Sequence, residues 1–193
     1  MDEKELIKLA SSNGIKKITG PPCDWLKALN TESWGFRRYD KTIKFYNSFK
    51  GNDVFVFHSM KQEYLPLDNS IKTGIIGIGV LKDKKIIENE PYDGAFTPEG
   101  LRPIKIYFSD MWFFGSIKNI KDETIQEKKE KGYNYIIKDI YNLTYNILTF
   151  NEMKENDCAI STQGAVANVS KDKSIRLINL ISKKLTEPHI INY

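Results

Sequence analysis

Residues 49–80, FKGNDVFVFHSMKQEYLPLDNSIKTGIIGIGV, hold two apolar runs rich in β-branched and aromatic residues on either side of a polar, proline-containing loop. That is the pattern of two neighbouring strands. Strand alternation puts Val54, Val56, His58 and Met60 on one face and Asp53, Phe55, Phe57 and Ser59 on the other. His58 and Ser59 therefore diverge, which is the wrong geometry for a base beside its nucleophile. In the second run Ile76, Ile78 and Val80 share a face, and Gly77 and Gly79 leave the opposite face bare. Two uses of bare strand backbone stay open here: room for a bulge, a sharp bend or a large neighbouring ring, or close approach of a flat ligand. A phosphate-cradling loop does not fit, because GIIGIG lacks both the GxGxxG spacing and a terminal Lys-Ser/Thr pair.

With 193 residues and 40% hydrophobic content the chain can bury one sizeable core, and one domain is expected. Ten Tyr, ten Phe and three Trp exceed what such a core needs, which leaves rings for stacking. A net charge of +4 suits a polyanionic partner without requiring one. More telling is the position of two of the arginines: Arg37 and Arg38 directly follow Trp34-Gly35-Phe36, and arginine suits forked phosphate contacts and stacking.

Cys23 and Cys158 are isolated, without CxxC or Cys/His spacing, so neither a structural zinc nor a disulfide framework is expected. No run approaches the roughly 20 apolar residues that span a bilayer. The expectation is a soluble, cytoplasmic chain with no metal and no cofactor, and without paired carboxylates that would mark hydrolytic chemistry.

Helices are predicted over residues 3–12, over 24–30 with Trp25 in the core, and from Asp40 through DKTIKFYNSF. SWGFRRY reads as a strand-like stretch. Residues 82–103 read as a long irregular loop holding Tyr92 and Phe96. Residues 104–108 read as a strand with Ile104, Ile106 and Phe108 inward and Lys105 and Tyr107 wet. KDETIQEKKEKG is a charged helix or linker, and YNYIIKDIYNLTYNILTF fits helix and strand equally. CAISTQGAVANV reads as a strand with a turn at Gln163-Gly164. Ser170 then caps a helix whose stripe is Ile175, Ile178, Ile181 and Leu185.

In order, W-G-F-R-R-Y at 34–39, F-K-G-N-D-V-F-V-F-H-S at 49–59, G-I-I-G-I-G-V at 74–80, P-I-K-I-Y-F at 103–108 and S-T-Q-G-A-V-A-N-V-S-K-D at 161–172 resemble the EVE domains, relatives of YTH domains in the PUA-like superfamily. The chain departs from that family at Phe57, where the family has Tyr before His-Ser, and at Thr162, where it has Arg. Tyr92 and Phe96 stand in place of its tryptophan-rich loop, and residues 111–158 have no counterpart.

The resemblance implies an α+β fold, a small curved PUA-like β-barrel with flanking α-helices, formed by residues 1–193 as one nucleic-acid-binding domain with an insertion at 111–158. It implies the specificity domain of an McrB-type modification-dependent restriction system, which flips a methylated base into an aromatic pocket, with an AAA+ motor as partner. On that reading Trp34 is one wall and Tyr92 or Phe96 the other, Gly77 and Gly79 allow close approach, and Phe57, His58, Ser59 and Gln163 lie at the base. Arg37, Arg38, Lys41 and Lys44 would hold phosphates. RNA is an open alternative partner, since PUA-like folds commonly bind it. A small ASCH-type hydrolase and a protein-interaction module stay open as well.

Overall fold

The computed structural model describes residues 3–61, 73–88, 101–117, 120, 130–161 and 163–186. Its elements are α1 (Glu3–Asn13), β1 (Ile15–Gly20), α2 (Pro22–Thr31), β2 (Ser33–Phe36), α3 (Asp40–Ser48), β3 (Val54–Ser59), β4 (Gly74–Ile86), β5 (Ile104–Phe113), α4 (Tyr133–Thr144), β6 (Leu148–Thr149), α5 (Phe150–Glu155), β7 (Val166–Asn168) and α6 (Lys171–Thr186). The fold is α+β: one seven-stranded sheet in the order β2-β5-β4-β3-β1-β7, with β6 pairing onto β4, curled into a half-barrel and flanked by helices. All pairings are antiparallel except β1 with β3.

The helix boundaries follow local chemistry. Gly14, at φ +74°, ends α1 in the left-handed conformation that glycine adopts without a Cβ penalty. Pro22 opens α2 at a position where its missing N–H is no loss. Thr149 and Glu152 close a reciprocal capping box at the start of α5. The ambiguous stretch after residue 132 resolves into a helix, α4, then the short β6 and α5.

The sheet separates two cores as its alternation predicts. Phe55 and Phe57 join Ile18, Trp25, Trp34, Phe108 and Phe113 on one, aromatic side. Val54, Val56, Ile78 and Val80 join Ile15 and the inner faces of α1 and α6 on the other. Each such side chain contributes about 1.5–3 kcal/mol on full burial.

Several expectations are corrected. A register shift between Phe57 and His58 turns Ile76 to the aromatic side, away from Ile78 and Val80. The stretch expected as loop from residue 82 continues β4 to Ile86, because Asp83, Lys84 and Lys85 pair with Tyr107, Ile106 and Lys105. Lys105, expected to be wet, is buried, as is Ile106 beside it. On α6, Ser174 and Leu177 are buried whereas Ile175 is 48% exposed, so the stripe is rotated from the one expected. Most of the charged stretch 121–132 lies outside the described residues, as do Tyr92 and Phe96.

Candidate nucleic-acid interface

Trp25 organises the site from beneath. Its indole N–H donates to the carbonyls of Gly20 (3.1 Å) and His58 (3.2 Å), tying α2 to the ends of β1 and β3. Trp34, 5% exposed, stacks on it with ring centroids 4.0 Å apart. Gly20 admits that arrangement: a methyl built on it would fall 2.3 Å from the Trp34 ring, so no other residue fits there without displacing the indole.

Where these strand ends meet, a cavity of about 310 Å³ opens, lined by Thr19, Gly20, Pro21, Asp24, Trp34, Phe36, Arg37, Tyr39, Thr42, Met60, Arg102 and Ala165. Its volume falls at the lower end of ordinary small-ligand sites. The walls are aromatic, and the rim carries Tyr39 at 58% and Met60 at 43% exposure. The Oγ1 of Thr19 is buried and has no hydrogen-bond partner among the described residues, although a hydroxyl can both donate and accept. Arg102 reaches the Gly35 carbonyl at 3.4 Å, fixing the strand that carries Trp34. A larger, polar cavity of about 550 Å³ lies at the opposite end of β1, occupied in part by the Lys16–Asp53 ion pair at 2.9 Å. Its described lining residues offer no ring faces and no unpartnered buried side chain.

Of the residues expected from sequence, the structure brings Trp34 and Arg37 to the cavity. Gly77 and Gly79 are not bare: Phe57 fills the space, its ring 3.1 Å and 2.5 Å from methyls built at the two positions. The neighbouring-ring reading of the glycines therefore holds, and Phe57 is a core residue packed among Trp25, Phe108 and Phe113 at tilted and edge-on angles. His58 and Ser59 are buried beside the cavity and do not line it; both ring nitrogens of His58 and the Ser59 hydroxyl lack partners among the described residues. Burial, and secondarily the charge of Lys17, push His58 down from 6.5 to about 4, so it is neutral at pH 7.

Arg38 points elsewhere and pairs with Glu88. Lys44 is exposed on α3 outside the cavity lining, and Gln163 is exposed on the segment whose Ala165 forms one wall. Lys41 lies against Gly164. Sequence reasoning missed Thr19, Phe36, Tyr39, Met60 and Arg102. The aromatic and basic run 34–39 carried the signal for Phe36 and Tyr39, whereas nothing local marked the others.

No helix among the described residues is long and apolar enough to cross a membrane, and no group of three metal-ligating side chains occurs among them. No family model matches the chain, and no curated protein does. Similar solved structures include a hypothetical protein from Leishmania major, 14% identical over 88% of this chain and 95% of that one, with a TM-score of 0.45. A Pseudomonas syringae protein is 15% identical over 89% of this chain and 100% of that one, with a TM-score of 0.45. Human THYN1, in complex with DNA containing 5-methylcytosine, is 12% identical over 90% of this chain and 99% of that one, with a TM-score of 0.39.

Proposed function

We propose that the chain binds nucleic acid and receives an extruded, modified base in the cavity beside Trp34, without catalysing a reaction on it. The observation that carries this reading is the cavity itself: aromatic walls from Trp34, Phe36 and Tyr39, a Thr19 hydroxyl with no partner among the described residues, and the cationic Arg37 and Arg102 among its lining residues. A nucleobase matches each part. Its faces stack on rings for about 1–3 kcal/mol per base, its polar edge satisfies the Thr19 hydroxyl, and the backbone phosphates beside it meet the arginines. Extrusion costs a few kcal/mol, least for a base whose pairing is already weakened.

Within that reading, the ordered resemblance to EVE domains supports methylated DNA as the partner and an McrB-type restriction system, with an AAA+ motor in the cytoplasm, as the setting. Binding of the purified chain to matched duplexes, with and without one methylated cytosine, and to single-stranded RNA of the same sequence tests it. The expected result is tighter binding of the methylated duplex, weakening steeply with salt. Equal affinity for both duplexes would remove base modification from the reading, and tighter RNA binding would replace DNA as the partner.

A further inference from the structure

Lys17 is an unusual residue in β1. It is fully buried, and its ammonium donates to the carbonyls of Ser161 (2.6 Å) and Gln163 (2.9 Å). Among the described residues no carboxylate pairs with it. The peptide bond is planar and trans, so its N–H points opposite its C=O. With the Gln163 carbonyl drawn inward onto Lys17, the N–H of Gly164 is directed outward, and among the described residues it has no partner.

Gly164 sits at φ +76°, a left-handed turn residue of the kind that builds backbone anion-binding concavities. The nearest heavy atom to a methyl built there is the Nζ of Lys41, at 3.7 Å. Lys41 too lacks a carboxylate partner among the described residues. One buried and one exposed cation thus flank a turn that exposes an amide.

We propose that the Gln163–Gly164 turn is a phosphate site, in which the Gly164 N–H and the Lys41 ammonium bind the phosphate oxygens, with the buried Lys17 ammonium holding the turn in shape and adding its charge from behind. Two neighbours tie the site to the cavity: Ala165, next in the chain, and Thr42, next on α3, both line it. The identity of the ligand rests on the nucleic-acid reading of that cavity: the phosphate belongs to the nucleotide whose base enters it. The Lys17 ammonium senses Lys41, since burial first and Lys41 second lower Lys17 from 10.5 to about 8. Lys17 remains charged at neutral pH.

Inorganic phosphate is the probe, titrated into ¹⁵N-labelled protein while the Gly164 amide resonance is followed. A saturable shift is expected in the wild type. Lys41→Ala, at an exposed position that leaves folding intact, should weaken it about tenfold, the usual effect of losing one charge-assisted hydrogen bond. Lys17→Met, which keeps the shape and removes the charge, should weaken it comparably although no phosphate touches residue 17; its melting curve is recorded alongside. A Gly164 amide that ignores phosphate, or wild-type titrations in the Lys41→Ala variant, would overturn the site.

A methylated duplex then separates the two readings. Phosphate bound at Gly164 with no duplex binding leaves the site standing and removes nucleic acid as its ligand. Duplex binding that is equal in wild type, Lys41→Ala and Lys17→Met leaves the cavity reading standing and removes the phosphate site.

Discussion

The indole of Trp34 lies on that of Trp25, planes inclined by 28°, so one of its faces belongs to the core while the remainder of the ring lines the cavity. Wall and core are therefore compatible roles for this residue. Trp34→Ala should cost about 3–5 kcal/mol of stability, as large-to-small core truncations do, and should abolish preference for a methylated duplex even at temperatures where the variant is folded. Denaturant titration beside binding at low temperature checks both. A variant as stable as the wild type would contradict the stacking geometry.

Tyr39 and Met60 separate binding from folding. Both line the cavity from exposed positions, so their truncation removes wall without emptying the core. Tyr39→Ala should change stability by less than about 0.5 kcal/mol and weaken base binding by about 1–3 kcal/mol, the worth of one stacked base. Isothermal titration with a methylated duplex, together with a melting curve, reads the two effects apart.

The adjacent arginines should behave differently. Arg37 lines the cavity, whereas Arg38 is engaged by Glu88 on the surface. Arg37→Ala should lower affinity for every sequence and reduce the salt slope by about one phosphate contact. Arg38→Ala should leave both nearly unchanged, since an exposed pair contributes at most about 1 kcal/mol. Equal losses in the two variants would place the phosphate path across both residues.

His58 makes stability depend on pH. Its folded value of about 4 lies below the ordinary 6.5, lowered by burial and then by Lys17, so the unfolded chain binds the proton more readily. The stabilisation is fully present above pH 6.5 and is lost as the pH falls from 6.5 towards 4. The full loss is on the order of 3 kcal/mol. Urea midpoints between pH 7 and 4 should fall accordingly, and His58→Leu should flatten that part of the profile.

Gly79→Ala tests the packing reading of the glycine pair. The new methyl would meet the Phe57 ring at 2.5 Å and the Asp110 carbonyl at 3.1 Å. Overpacking of this kind costs about 1–3 kcal/mol. Affinity per folded molecule should stay at the wild-type level, because the cavity lies at the strand ends. Loss of binding with unchanged stability would return the glycines to the site.

Apolar runs and their periodicity determined the pairing of β3 with β4, the division of Phe55 and Phe57 from Val54 and Val56, and the first three helices. These are local matters: a strand alternates and a helix repeats whatever surrounds it. Which of the two uses of Gly77 and Gly79 applied was decided only by the partner strand, whose Phe57 occupies the space. The register shift beside Phe57, which rotates Ile76 off its expected face, depends on cross-strand fit that no single run encodes. The cavity was decided last of all. Thr19, Trp34, Met60, Arg102 and Ala165 come from five separate segments, and they meet because the curl of the sheet brings the edge strand β2 round to the ends of β1 and β3, from which the strand order alone would hold it apart. Lys17 shows the limit most plainly: nothing in the sequence around it marks it as buried, and only Ser161 and Gln163, more than a hundred residues away, supply the carbonyls that let its charge be buried.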